Sequence, residues 1–180
     1  MNIEFPEIHH CKSKDEIIKQ IQIAHEAIEQ FYRNLPDDAF LANAIPDGWS
    51  VKKNMKHVSS TNNFFSLYIS LPKFLLRLFG KPKTPQVPIE KLNPTNRPIV
   101  KDYGKYTKKD PFVSGEKEKY LKAIIDSSEK LKRAVLKRTE EELDSLPGMF
   151  WGMSLRTLAM FVSKHNLHHT NVVKIRISNH

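Results

Sequence analysis

Apolar residues recur at spacings of three and four in four separate stretches of the chain, and no sustained alternation of apolar and polar residues marks a strand. That pattern restricts the fold to packed amphipathic helices. The first stretch sets Ile17, Ile21, Ala24, Ile28, Phe31 and Leu35 on one face, with Ser13 as its cap, Glu16 reaching back, and Pro36 closing it. The second follows Gly48-Trp49-Ser50 and carries Val51, Met55, Val58, Asn62, Phe65 and Ile69 as far as Pro72. In the third, Ser114 is the expected cap, Leu121, Ile124, Ser128, Leu131 and Val135 form the stripe, and the helix is expected to run to about Leu143. The fourth starts at Ser154, with Met153 and Leu158 positioned as a staple across the cap, and runs to about Ile177. The expected elements are helices over about 13–35, 50–71, 114–143 and 154–177, in one domain over 1–180. A chain of 180 residues, 39% hydrophobic, is long enough to bury such a core.

Short loops join the first helix to the second and the third to the fourth, which makes each pair antiparallel neighbours. Roughly 40 residues separate the second from the third, enough for a crossover and an up-down-down-up order. This segment also holds most of the charge. The chain carries a formal +9, and between Lys73 and Lys109 ten basic residues face only Glu90 and Asp102. Pro82, Pro85, Pro88, Pro94 and Pro98 make it an extended connection, with no nucleic-acid-binding motif. A solvated basic loop is the simplest account, and recruitment of an anionic small molecule is the functional alternative. Nucleic acid is a disfavoured partner.

Cys11 is the sole cysteine, which excludes an intrachain disulfide and a four-thiolate zinc site and suits a reducing, cytoplasmic location. No signal-peptide pattern opens the chain, and the most apolar stretch, Phe64 to Phe79, is broken by Pro72, Lys73 and Arg77 and is too short for a membrane span. Neither a P-loop, a dinucleotide fingerprint, a Gly-x-Ser-x-Gly elbow nor the paired Glu-x-x-His of di-iron bundles is present.

The chemistry sits in the fourth helix. Its stripe reads Leu155, Leu158, Val162, His165, His169, Val172, so two imidazoles four residues apart project from a face meant for the core. They can share a divalent metal, or they can be buried histidines bonded to neighbours, and the helix alone does not choose. His168 falls off the stripe. His57, seven residues after Ser50 and roughly 10 Å into its helix, is the candidate third ligand. It lies at the edge of its stripe near Thr61, Phe64 and Tyr68, so a surface histidine is the competing account. His57 matches His165 and His169 in depth better if the second and fourth helices are antiparallel, as the crossover order provides. Shifts of a few residues in the helix ends would blur that comparison, so both orders stay open on the residues alone. His25 lies off the centre of its stripe and is a weak ligand candidate, and His9, His10 and His180 fall in the chain ends.

Trp49-Ser50 followed by His57, and Gly152-Met153-Ser154-Leu155-Arg156 leading to His165-x-x-x-His169, resemble the DinB/YfiT-like superfamily of damage-inducible metal-binding four-helix bundles. The likeness covers most of residues 13 to 177. It implies an up-down-down-up bundle with a long crossover between helices two and three, and a divalent metal, zinc or nickel, on His57, His165 and His169. It also implies a thiol S-transferase using a low-molecular-weight thiol such as bacillithiol, mycothiol or glutathione on an electrophilic substrate. A metal-dependent hydrolase and a non-catalytic metal-binding stress protein are the alternatives. A homodimer is compatible with it. Relatives often carry glutamine where this chain has Val172, and its basic connection is long. No catalytic residue, general base or thiol-binding residue is assigned.

Overall fold

The computed structural model describes residues 4–43, 48–95, 107–108, 115–150 and 152–178, with backbone alone for 42–43 and 107–108. In chain order the elements are α1 (Lys14–Arg33), α2 (Asp37–Phe40), β1 (Ala42–Asn43), α3 (Val51–Ser70), α4 (Lys73–Arg77), a 3-10 turn (Ile89–Lys91), β2 (Thr107–Lys108), α5 (Glu116–Leu136), α6 (Glu140–Ser145) and α7 (Leu155–Ser178). Four long helices carry the fold, and the two-residue strands pair antiparallel, Ala42 with Lys108 and Asn43 with Thr107. Among the described residues no helix is long and apolar enough to cross a membrane.

The stripes bury as their spacing dictates. Ile17, Ile21, Ile28, Val51, Met55, Val58, Ile69, Leu121, Ile124, Leu131, Val135, Leu155, Leu158 and Val162 are almost wholly inaccessible and form one core. Local chemistry fixes the helix starts. Ser13 Oγ accepts the Glu16 amide at 3.2 Å, and Ser50 Oγ accepts that of Lys53 at 3.2 Å. Glu16 does reach back, but to the Lys12 amide at 2.7 Å, one residue before the cap.

The third helix departs from expectation at both ends. Ser114 lies outside the described residues, and the position before α5 is Gly115, whose φ of 77° suits a residue without a Cβ. Its other end falls at Leu136 and not near Leu143. There Thr139 and Glu142 form a reciprocal capping box that starts α6 as a separate helix. The turn between them frees Arg138 to donate to the Ile69 carbonyl at 2.8 Å and to that of Leu71, capping the C-terminus of α3.

α1 and α3 each pack against both α5 and α7. The Lys14 amide donates to Glu140 at 2.7 Å, just past the end of α5, while Lys117 at the start of α5 reaches the Leu35 carbonyl. Lys52 pairs with Glu116 at 2.8 Å, joining the first turns of α3 and α5. The Cys11 amide meets Met160 Sδ at 3.2 Å, beside the early turns of α7.

The connection after α4 is less loose than its composition suggests. Its described half is fastened along α7: Gln86 accepts the Ser154 amide at 2.8 Å, Lys164 Nζ donates to the carbonyls of Ile89 and Glu90 at 2.8 and 2.9 Å, and Ile89 is buried. Residues 96–106 and 109–114 lie outside the described residues, and with them Arg97, Lys101, Lys105 and Lys109 of the expected basic surface.

Candidate metal centre

The Gly152-to-Arg156 motif is the launching point of α7. Gly152 has a φ of 71°, and a Cβ there would stand 2.6 Å from the Lys83 side chain. Ser154 Oγ accepts the Thr157 amide at 3.2 Å as the helix cap. Buried Arg156 forks onto Asp144 at 2.5 Å and Glu140 at 2.6 Å, fixing the first turn of α7 against α6. These residues set the angle and rotation at which α7 delivers its histidines.

Three turns further on, His165 and His169 of α7 meet His57 of α3. The three side chains are half-buried, and one ring nitrogen from each lies within 4.8 Å of the others. His57 Nε2 and His165 Nε2 face one another at 2.9 Å. His165 Nδ1 lies 2.6 Å from the Pro94 carbonyl, which can only accept, so Nδ1 carries the proton and Nε2 turns its lone pair into the cluster. Two imidazole lone pairs at 2.9 Å repel unless a proton or a cation stands between them, so this pair of nitrogens calls for one or the other. Burial holds His165 below the ordinary imidazole range, which keeps it neutral and available as a ligand.

Trp49 explains the other half of the sequence motif. Its indole stacks on His169, with centroids 5.4 Å apart and planes 9° apart, and meets the His57 ring edge-on at 4.8 Å. Lys53 Nζ covers the same indole at 5.1 Å. Trp49 and Pro94 thus hold the rings from outside the cluster. Sequence reasoning missed both functions, although Trp49 stood in the quoted motif.

Two further histidines stand apart from the cluster, and His180 lies outside the described residues. His25 is buried in the core, with Nδ1 donating to the Ile21 carbonyl at 2.7 Å and Nε2 accepting from Asn62 at 2.9 Å, away from the cluster. His168 is half-buried against the His169 ring, and burial lowers its pKa, but it is not one of the three. Cys11 is buried and its thiol is pushed up to about 11, first by desolvation, so it stays protonated at neutral pH. A reacting thiol would have to come from outside the chain.

Two cavities open on the cluster and share His57 and Ser60. One, of about 380 Å³, is lined by Phe64, Phe65, Phe150 and Phe161 with His57 and His165. The other, of about 470 Å³, is lined by Lys52, Lys53 and Lys56 with Trp49 and Tyr120. Neither is lined by an aspartate or glutamate among the described residues.

No curated protein and no solved structure matches the chain. The family profile of the DinB superfamily matches residues 12–173, a span that runs from just before α1 into the last turns of α7 and takes in all three clustered histidines. By that match the chain belongs to the DinB superfamily.

Proposed function

We propose that the protein is a metal-dependent enzyme whose divalent ion, zinc or nickel, is held by His57, His165 and His169, and that it transfers an external thiol to an electrophilic substrate. The observation that carries the reading is the convergence of three half-buried imidazoles, with His165 Nε2 stripped of its proton by the hydrogen bond from Nδ1 to Pro94. When bound, such an ion keeps its full charge and an open coordination position, which favours deprotonation of a thiol or water placed there. An up-down-down-up order belongs to the same reading. It is supported by the contacts of α1 and α5 at opposite ends, of α3 and α5 at like ends, and of the segment before α1 with the start of α7.

The protein's own groups would then divide the work. Pro94 and Trp49 hold the rings in position, and the phenylalanine-lined cavity, once a substrate group fills it, shields one side of the cluster from water. Lys53 and Lys56, beside the Lys52–Glu116 pair, offer positive charge on the other, where the carboxylates of a small thiol can rest. In the transfer the thiol sulfur forms a bond to the electrophilic carbon, the leaving group departs with its electron pair, and the thiol proton passes to solvent. The same site supplied with water in place of a thiol would catalyse hydrolysis.

With cobalt in place of the native ion, adding mercaptosuccinate should produce a thiolate-to-cobalt absorption band in the near ultraviolet, and His165→Ala should remove both the band and any transfer to monochlorobimane. Wild-type protein that takes up cobalt but shows neither band nor transfer would leave hydrolysis or a structural metal. The lysine side gives a separate expectation. Replacing Lys53 and Lys56 together by Gln should weaken mercaptosuccinate about five- to ten-fold at low ionic strength, leave mercaptoethanol unchanged, and lose the difference as salt rises. Isothermal titration at two salt concentrations checks it, and equal weakening of both thiols would refute it.

A further inference from the structure

The two walls beside His57 differ in chemistry, and the difference defines what each can hold. On one side, rings adjoin in sequence from the rim to the cluster. Phe64 meets Phe65 edge-on at 5.1 Å, Phe65 meets Phe150 at 5.8 Å, Phe150 meets Phe161 at 6.3 Å, and Phe161 lies 6.0 Å from His165. Phe65 and Phe161 are buried, whereas Phe64 is 51% exposed at the mouth. The cavity they bound, about 380 Å³, has no lysine, arginine, aspartate or glutamate among its described lining residues. It exceeds the ~150 Å³ in which an apolar cavity can hold a benzene-sized guest. Ser60, Thr61 and Thr95 add hydroxyls to its lining, but a carboxylate or ammonium seated against the four phenylalanine rings would lose hydration that no opposite charge there replaces. An apolar ring would exchange water for aromatic surface.

We propose that this cavity receives an uncharged group of aromatic size, carried by the substrate whose reactive atom meets the cluster. The substrate class is therefore an aryl or bulky alkyl electrophile, its charged parts, if any, directed toward the lysine side. The position of the reacting atom rests on the metal reading above, while the apolar preference of the cavity does not.

Two hydroxamates that differ only in their apolar tail provide the test. Benzohydroxamate should bind zinc-loaded protein at least about thirty-fold more tightly than acetohydroxamate, as expected for burying a phenyl ring in place of a methyl. Phe64→Glu puts a carboxylate at the mouth on an exposed position, and it should weaken benzohydroxamate at least about ten-fold more than acetohydroxamate. Equal affinity of the two hydroxamates for wild-type protein would overturn the proposal whatever the variant does. The neutral dye N-phenyl-1-naphthylamine, applied to metal-free protein, separates the two readings. Dye fluorescence that rises in the cavity and falls in Phe64→Glu, with no hydroxamate binding, would retain the apolar chamber and remove the metal. Hydroxamates bound without discrimination, and no dye signal, would retain the metal and remove the chamber.

Discussion

Protein purified without a histidine tag is expected to carry close to one zinc or nickel ion per chain, and His169→Ala is expected to reduce this below about a tenth after dialysis. The three imidazoles are the only described group of histidine, cysteine or carboxylate side chains gathered closely enough to hold an ion. Loss of one leaves two ligands from different helices, and even a supporting residue of a metal site is worth about 10- to 100-fold in affinity. Elemental analysis reads the outcome directly. The companion measurement is the melting temperature of metal-free protein. The buried core lies among the four long helices, and the cluster at its half-buried margin contributes none of the fully buried apolar side chains. Metal removal should therefore lower stability only by the mass-action share of a bound ligand and leave the bundle folded. Unfolding on chelation would instead make the ion a structural staple. Full occupancy in His169→Ala would remove the three-histidine assignment.

What could be read in the sequence follows what burial writes into it. The apolar stripes of α1, α3 and α5 were legible because a core-facing residue every three or four positions has no other simple cause, and every stripe residue named there is buried. The break after Leu136 does leave a sequence trace: Thr139 and Glu142 stand at the spacing of a capping box, a start signal inside the span expected to run to Leu143. His165 and His169 were legible as imidazoles on a core stripe, Ser50 as a helix cap and His57 by its depth in the second helix, while the family resemblance brought Trp49 and the grouping of the three histidines. Pro94 was not legible. Which carbonyl of a proline-rich connection returns to a histidine depends on how Gln86, Ile89 and Lys164 fasten that connection to α7, and none of those contacts leaves a periodic trace. His25, a weak ligand candidate by its place off the stripe, does lie outside the cluster. It lies off the centre of an apolar stripe because it belongs to a polar layer inside the core, where the stripe rule counts only apolar neighbours.

That layer carries the second large expectation. His25, Asn62, Ser127 and Asn166 are each the twelfth residue of a long helix, and all four are buried. Asn62 is the hub: its amide donates to His25 Nε2 at 2.9 Å and to Ser127 Oγ at 3.2 Å, while its carbonyl accepts from Asn166 at 2.7 Å. Asn62→Ala leaves His25 Nε2 and the Asn166 amide without that partner and opens a small void, so it should cost about 2–4 kcal/mol. At this chain length that corresponds to a melting temperature lower by roughly 5–12 °C. Asn63→Ala, next door on the exposed face, should change stability by less than about 0.5 kcal/mol. The layer also sets a pH dependence. Burial lowers the His25 pKa, opposed more weakly by its hydrogen bonds and by Glu129 and reinforced by Lys132, so the folded state keeps it neutral while the unfolded chain takes up a proton near pH 6.5. Stability is thus complete above that pH and falls as pH drops below it, at up to about 1.4 kcal/mol per unit for each such histidine. In metal-free protein His165 and His168 act in the same direction. The depressed carboxyls of Glu90, Glu140 and Glu142 act only below their ordinary range, so the window between about pH 5 and 6.5 belongs to the histidines. Urea unfolding of wild type and His25→Gln across that window should show the variant losing one histidine's share of the slope. An unchanged slope, or an Asn62→Ala protein that melts within a degree or two of wild type, would mean that water reaches the middle of the bundle and that the four polar residues are not a closed layer.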